Sequence, residues 1–176
     1  MGDGTNDEYP VIYDQTNPTN GAELVTGFTN GDTYPFTTFT TSGNNITSAI
    51  ISSAFAGAVT NAISIVTGQV YKVTFDYNKN SGNDLRIVFT NSLSGAGSQA
   101  SAFELISESG SYTKYFTITS TFSSGYFQMG TGASGHSLNA SITNVSIKLV
   151  NGNPATMTNM VEGNITNQYP LTKIRN

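Results

Sequence analysis

The chain has no cysteine, no tryptophan and one histidine, and only seven Lys+Arg stand against eleven Asp+Glu in 176 residues. Without thiols there is no disulfide, thiolate nucleophile, zinc–thiolate centre or iron–sulfur cluster. Charged residues make up 10% of the chain, where about 25% is ordinary for a soluble domain, so the solvated surface must be built from Asn, Ser and Thr. With a net charge of −4 and no Lys/Arg cluster, nothing is present to displace counterions from a nucleic acid or to meet an anionic membrane. No run of about 18 apolar residues occurs and residues 1–10 are acidic and polar, so neither a membrane span nor an export signal is expected.

What the chain does have is β-forming sequence punctuated by glycine. Tyr71, Val73, Phe75 and Tyr77 alternate with Val70, Lys72, Thr74 and Asp76, which predicts a strand with one core face over Val70 to Tyr77. Asp84 to Thr90 repeats the pattern, with Leu85, Ile87 and Phe89 inward and Arg86 outward. The turn residues of Asn78 to Asn83 predict that these two strands form a hairpin. Further strands are read at Tyr112 to Ser120, Tyr126 to Met129 and Ala140 to Val150. In the last, Ile142 stands on the opposite parity to Val145, Ile147 and Leu149, which predicts a bulge near Thr143 and Asn144, with Lys148 toward solvent. Ser48 to Ile65 and Phe103 to Ile106 are read as mainly strand. No segment of helical period competes, so the fold class is all-β: an antiparallel sandwich of about eight strands.

Three textures divide the chain. Residues 1–21 read as an extended N-terminal docking arm, 22–150 as the sandwich and 151–176 as a C-terminal tail. The apolar residues Val11, Ile12 and Tyr13 in the arm, and Met157, Met160, Val161, Ile165, Tyr169, Leu171 and Ile174 in the tail, cannot form cores of their own. They are the expected assembly contacts, by strand addition or by lying in a neighbour's groove.

The segments Glu23 to Thr26 with Asn30-Gly31-Asp32, Val66 to Phe75, Ser109 to Thr113, Ser124 to Gln128 and Ile142 to Lys148 together resemble the jelly-roll modules of bacteriophage fibre and other virion proteins. Those modules are similar in turn to galactose-binding-like carbohydrate-binding modules. The resemblance implies a non-enzymatic virion structural protein on the particle exterior, as a head fibre, capsid decoration or tail-fibre module. It further implies homo-oligomers, with a trimer favoured, and capsid or tail components as partners. A carbohydrate-binding module for surface polysaccharide is the alternative, and a polysaccharide depolymerase a further one. Two family positions differ here: the Tyr34-Pro35-Phe36 region stands where the family carries a Trp, and Thr143 where it carries an Asp. Some relatives hold calcium near these ends, but Asp32 and Glu23 alone supply too few charged oxygens, so no metal is expected.

Catalysis needs convergent titratable groups. His136 lies in the loop Gly130 to Ser137, near Ser134 and Ser137, without a nucleophile elbow around it. The carboxylate pairs Glu104 with Glu108 and Asp76 with Asp84 read as solvated surface, so no catalytic residue and no cofactor are assigned. Sugar binding is served by rings that stack on pyranose faces and planar groups that bond vicinal hydroxyls. Tyr34, Phe36, Phe39 and Tyr126, with Asn83, Asp84, Arg86, Gln128 and His136, are the candidate glycan ligands. The N-x-[ST] triplets at Asn45, Asn139, Asn144 and Asn164 follow from composition and carry no assignment.

Overall fold

The computed structural model describes residues 19–52, 54–93 and 98–151. Twelve strands run through them: β1 (Thr19–Glu23), β2 (Phe28–Asn30), β3 (Thr38–Ser42), β4 (Asn45–Ile51), β5 (Gly57–Thr60), β6 (Ile63–Ile65), β7 (Val70–Gly82), β8 (Leu85–Thr90), β9 (Glu104–Ile106), β10 (Gly110–Thr117), β11 (Phe122–Gly130) and β12 (Leu138–Asn151). They form two six-stranded antiparallel sheets. The first has the order β10-β7-β12-β4-β3, with β1 added to β12, and the second has β2-β5-β11-β8-β9, with β6 added to β11. The expected all-β sandwich is present. Its strands outnumber the expected eight because Ser48 to Ile65 alone yields parts of three short ones, separated where small residues turn the backbone. The expected assembly contacts in the arm and tail, Val11 to Tyr13 and Met157 to Ile174, lie outside the described residues.

Alternation decides which side chains meet. On β7, Tyr71, Val73, Phe75 and Tyr77 are buried while Lys72, Thr74 and Asp76 between them are half-buried on the outer face. Phe116 of β10 pairs with Tyr71, and Ile147 of β12 with Val73, so these neighbours add to the same inner layer. From the second sheet come Leu85, Ile87 and Phe89 of β8 and Phe127 and Met129 of β11. Phe89 is the hub, with ring centroids 5.1 Å from Tyr71, 5.6 Å from Phe116 and 4.9 Å from Phe127.

The predicted hairpin is not formed. β7 pairs with β10 and β12, whereas β8 pairs with β11 and β9, so the two consecutive strands lie in opposite sheets. Both carry a continuous inward apolar set, and those sets face each other across the core instead of lying side by side. The turn chemistry is the same for a corner as for a hairpin, which is why the sequence misled. The corner falls at Gly82, whose φ is +103° and whose α-carbon faces Ser137: a Cβ there would lie 2.5 Å from the Ser137 carbonyl oxygen. Side chains seldom tolerate such a backbone.

The bulge in β12 is where the parity break placed it. Its register against β7 shifts between Thr143 and Ser146, and Asn144 has φ +53°. The extra residue lets Ile142 and Val145, on opposite parities, both point into the core, at 1% and 2% exposure.

Two substitutions test this account. Phe89→Ala should cost about 4 kcal/mol in chemical denaturation, as for a large buried ring with no room to collapse. Gly82→Ala should cost about 2 kcal/mol from its positive φ alone, and more from the clash; an unchanged denaturation midpoint would refute the corner geometry.

Candidate functional site

Once Leu85, Ile87 and Phe89 point inward, Arg86, Val88 and Thr90 must point out of the second sheet, where Val88 and Thr90 are nonetheless covered, at 0% and 1% exposure, and Arg86 alone of the three reaches solvent. On the adjacent β11 the same parity places Tyr126 opposite Thr90, Gln128 opposite Val88, and Gly130 opposite Arg86. On the other side of β8, Leu105 of β9 is the register partner of Arg86. Arg86, Gln128, Tyr126 and Leu105 therefore share one outer face.

Gln128 is 1% exposed, and its amide lies on the backbone of Gly57, where a Cβ would come within 2.3 Å of Nε2. Its Oε1 accepts a hydrogen bond from Arg86 Nη1 at 3.4 Å. The Arg86 guanidinium lies 5.1 Å from the ring centroid of Phe103, a cation–π arrangement. Burial lowers the pKa of this guanidinium from its ordinary value, although an arginine keeps its charge. Phe103 and Leu105 remain 49% and 52% exposed, an apolar strip beside a fixed planar donor.

The rim is held by backbone bonds. Asn83 N donates to Ser137 O at 2.8 Å and Ser137 N donates to Asn83 Oδ1 at 2.9 Å, which ties the β7–β8 corner to the β11–β12 loop. Thr131 Oγ1 accepts from Ala56 N at 2.7 Å and donates to Ala54 O at 3.1 Å. The position a Gly132 Cβ would take lies 3.7 Å from the His136 ring and 3.9 Å from Arg86 Cδ, so the histidine and the arginine both lie against Gly132. His136 Nδ1 is buried without a hydrogen-bond partner among the described residues. Asp32 N donates to Leu93 O at 3.4 Å, a bond that closes across β5 and β11, since those strands separate β2 from β8.

Of the predicted ligands, then, Arg86, Gln128 and His136 are brought together, and Tyr126 lies along the same face. Asn83 sits at the rim, and Asp84 beside it pairs with Lys79 at 3.4 Å. Tyr34, 40% exposed, packs edge-on against Phe55, and its carbonyl accepts from Gly57 N. Phe36 and Phe39 are not on this face: Phe36 is 3% exposed in the core, and Phe39 of β3 stacks on it at 6.2 Å. Phe103 and Leu105 are not among the ligands expected from the sequence. The signal was that Leu105 and Ile106 are adjacent and apolar, so a strand there has to turn one of them outward.

The first sheet bears a cavity of about 240 Å³ lined by Thr74, Phe75, Asp76, Ser111, Tyr112, Thr113 and Asn144. The Asp76 carboxylate accepts from Ser111 Oγ and, at 2.6 Å, from Asn144 Nδ2. These two donors, Ser111 first, hold its pKa below the ordinary aspartate value. Among the described residues no group of three or more His, Asp or Glu gathers to hold a metal ion.

No protein-family model matches the sequence, and no curated protein matches it. Three solved structures similar to it illustrate the range. One is a family 4 carbohydrate-binding module, 16% identical over 60% of this chain and 82% of its own, with a TM-score of 0.48. Another is the N-terminal cellulose-binding domain of Cellulomonas fimi β-1,4-glucanase C, 17% identical over 69% and 87%, at 0.48. The third is the enzymatically active domain of a bacteriophage CBA120 tailspike protein, 16% identical over 77% and 20%, at 0.41.

The depressed pKa of Asp76 fixes the sign of a pH effect. Its contribution to stability is complete above the unfolded carboxyl's pKa, about 4, and is lost as the pH falls through the lower folded value. Thermal unfolding measured down the acid limb should show Asp76→Asn losing less stability than the unaltered chain; identical limbs would refute the assignment.

Proposed function

We propose that the second sheet binds a neutral glycan, without catalysis, along the strip of its outer face where Arg86, Phe103 and Leu105 reach solvent. The observation that carries this reading is the Arg86–Phe103–Gln128 arrangement: a guanidinium fixed between a ring and a buried amide, flanked by exposed apolar surface at Phe103 and Leu105. A pyranose offers both C–H faces that pack on such surface and hydroxyl pairs that accept from a planar fork. The weak surface charge of the chain suits an uncharged ligand.

A competing use of this edge, addition of a strand from another protein, is disfavoured by β9 itself, because a three-residue edge strand offers too short a template. Hydrolysis is disfavoured by the carboxylates: Glu104 faces Lys114 at 3.2 Å, and Asp84 faces Lys79. The virion setting expected from the sequence is kept as the proposal for where such a module acts. Copies projecting from a particle and held by residues 1–21 and 151–176 would convert weak single-site affinity into avid attachment.

Calorimetric titration of the full chain against neutral β-linked and α-linked oligosaccharides tests the reading. Arg86→Ala and Phe103→Ala should each weaken binding at least about tenfold, ~1.4 kcal/mol, with thermal unfolding little changed at these partly exposed positions. Absence of binding to every neutral glycan, or binding indifferent to both substitutions, would overturn it.

A further inference from the structure

The opposite surface of the sandwich carries a second, chemically different arrangement. Tyr115 of β10 is the register partner of Lys72 on β7, and Lys72 is the partner of Lys148 on β12. All three stand on the outer parity, since Phe116, Tyr71 and Val73 beside them are buried. The row is thus an exposed tyrosine, at 54%, followed by two lysines directly opposite each other.

Like charges facing across strands are destabilising, and this chain has only seven Lys+Arg to place. The ion pairs formed among the described residues are Lys79–Asp84 and Lys114–Glu104, so neither Lys72 nor Lys148 has a carboxylate partner there. Of the two acids nearest in register, Glu23 lies within reach of Lys148 but is held by neighbouring donors, and Asp76 lies out of reach of Lys72. Glu23 is the register partner of Lys148, yet its Oε1 accepts from Ile147 N at 2.8 Å and from Leu24 and Val25 N at 3.2 Å, and its Oε2 accepts from Ser146 Oγ. Asp76, four residues along β7 and about 13 Å away, is taken up by Ser111 and Asn144.

Between the lysine row and Asp76 the face carries Thr113 and Thr74, which are register partners, and Ser146, the partner of Thr74 on β12. It ends at the cavity beside Asn144. A strip with a ring and two unpaired ammonium groups at one end and hydroxyl and amide groups along it matches a saccharide chain bearing anionic substituents. We propose that the outer face of the first sheet binds an acidic polysaccharide. Tyr115 stacks on a sugar ring, Lys72 and Lys148 pair with its carboxylate or sulfate, and the Thr113–Thr74–Ser146 row bonds the following unit. This site is separate from the neutral-glycan face and does not depend on it.

The test is titration of the full chain, followed by amide NMR shifts, with oligogalacturonate, dextran sulfate and unmodified dextran. Binding of an anionic probe that shifts the amides of β7, β10 and β12 and weakens as sodium chloride is raised, with no shifts on those strands from dextran, is the expected result. Whichever anionic probe binds more tightly identifies carboxylate or sulfate as the partner of the lysines. Tyr115→Ala and the double variant Lys72→Gln/Lys148→Gln should each weaken that binding at least about tenfold, while Arg86→Ala leaves it unchanged. Failure of both anionic probes to bind, undiminished binding by the double variant, or loss of binding in Arg86→Ala would each overturn the proposal. Coincident thermal unfolding of the variants and the unaltered chain separates a lost contact from a lost fold.

Discussion

The contact between Phe89 and the rings of Tyr71, Phe116 and Phe127 is the constraint on which the remaining geometry rests. It joins β7 and the edge strand β10 of one sheet to β8 and β11 of the other, so it fixes the residues of these four strands that point inward. A strand has only two sides. With the inner set chosen, Arg86 and Gln128 have no direction left but outward on one surface, and Lys72 and Tyr115 none but outward on the other. Both polar surfaces are consequences of the core, which explains how a chain so poor in charge can still present its few cations in defined places.

Much of this was legible in the sequence, and the exceptions have physical reasons. The alternation along β7 and the parity break before Val145 were readable because each is a local rule: one follows from the pleat, the other from a single extra residue in β12. Whether β8 would sit beside β7 or across from it was not readable, because the choice depends on the distant partners β11 and β12, whose register partners on β8 and β7 are at least 36 residues away in sequence. Phe36 illustrates the converse difficulty. Its ring lies in the core while the Asn30 side chain bonds both its backbone N–H and its carbonyl, at 2.8 and 3.0 Å, and nothing in a loop sequence announces such a clamp. The chemistry of Arg86, Gln128 and His136 marks them as candidates in the sequence and the fold makes them neighbours, whereas the apolar half of that surface is Phe103, just before β9, and Leu105, within a strand too short to show a period.

Close backbone approach shapes the second sheet as much as side-chain packing does. A Cβ on Gly130 would lie 2.1 Å from Ala56 O, and one on Gly57 would displace the Gln128 amide. Glycine at these two positions is what lets β5 and β11 draw together beneath Gln128. Since the amide is already immobilised and the surrounding loops are stitched by Asn83, Ser137 and Thr131, a ligand arriving at the Arg86 guanidinium above it would meet a group whose ordering cost is already met by folding.

The pairing of Thr19 with Asn151 has a mechanical consequence. The described chain enters and leaves the sandwich on adjacent rungs of antiparallel strands, so tension applied through both ends would peel β1 from β12 one rung at a time and spare the aromatic hub. Fused at both ends within a host protein, the sandwich would add little span, and under load it would yield gradually from that seam.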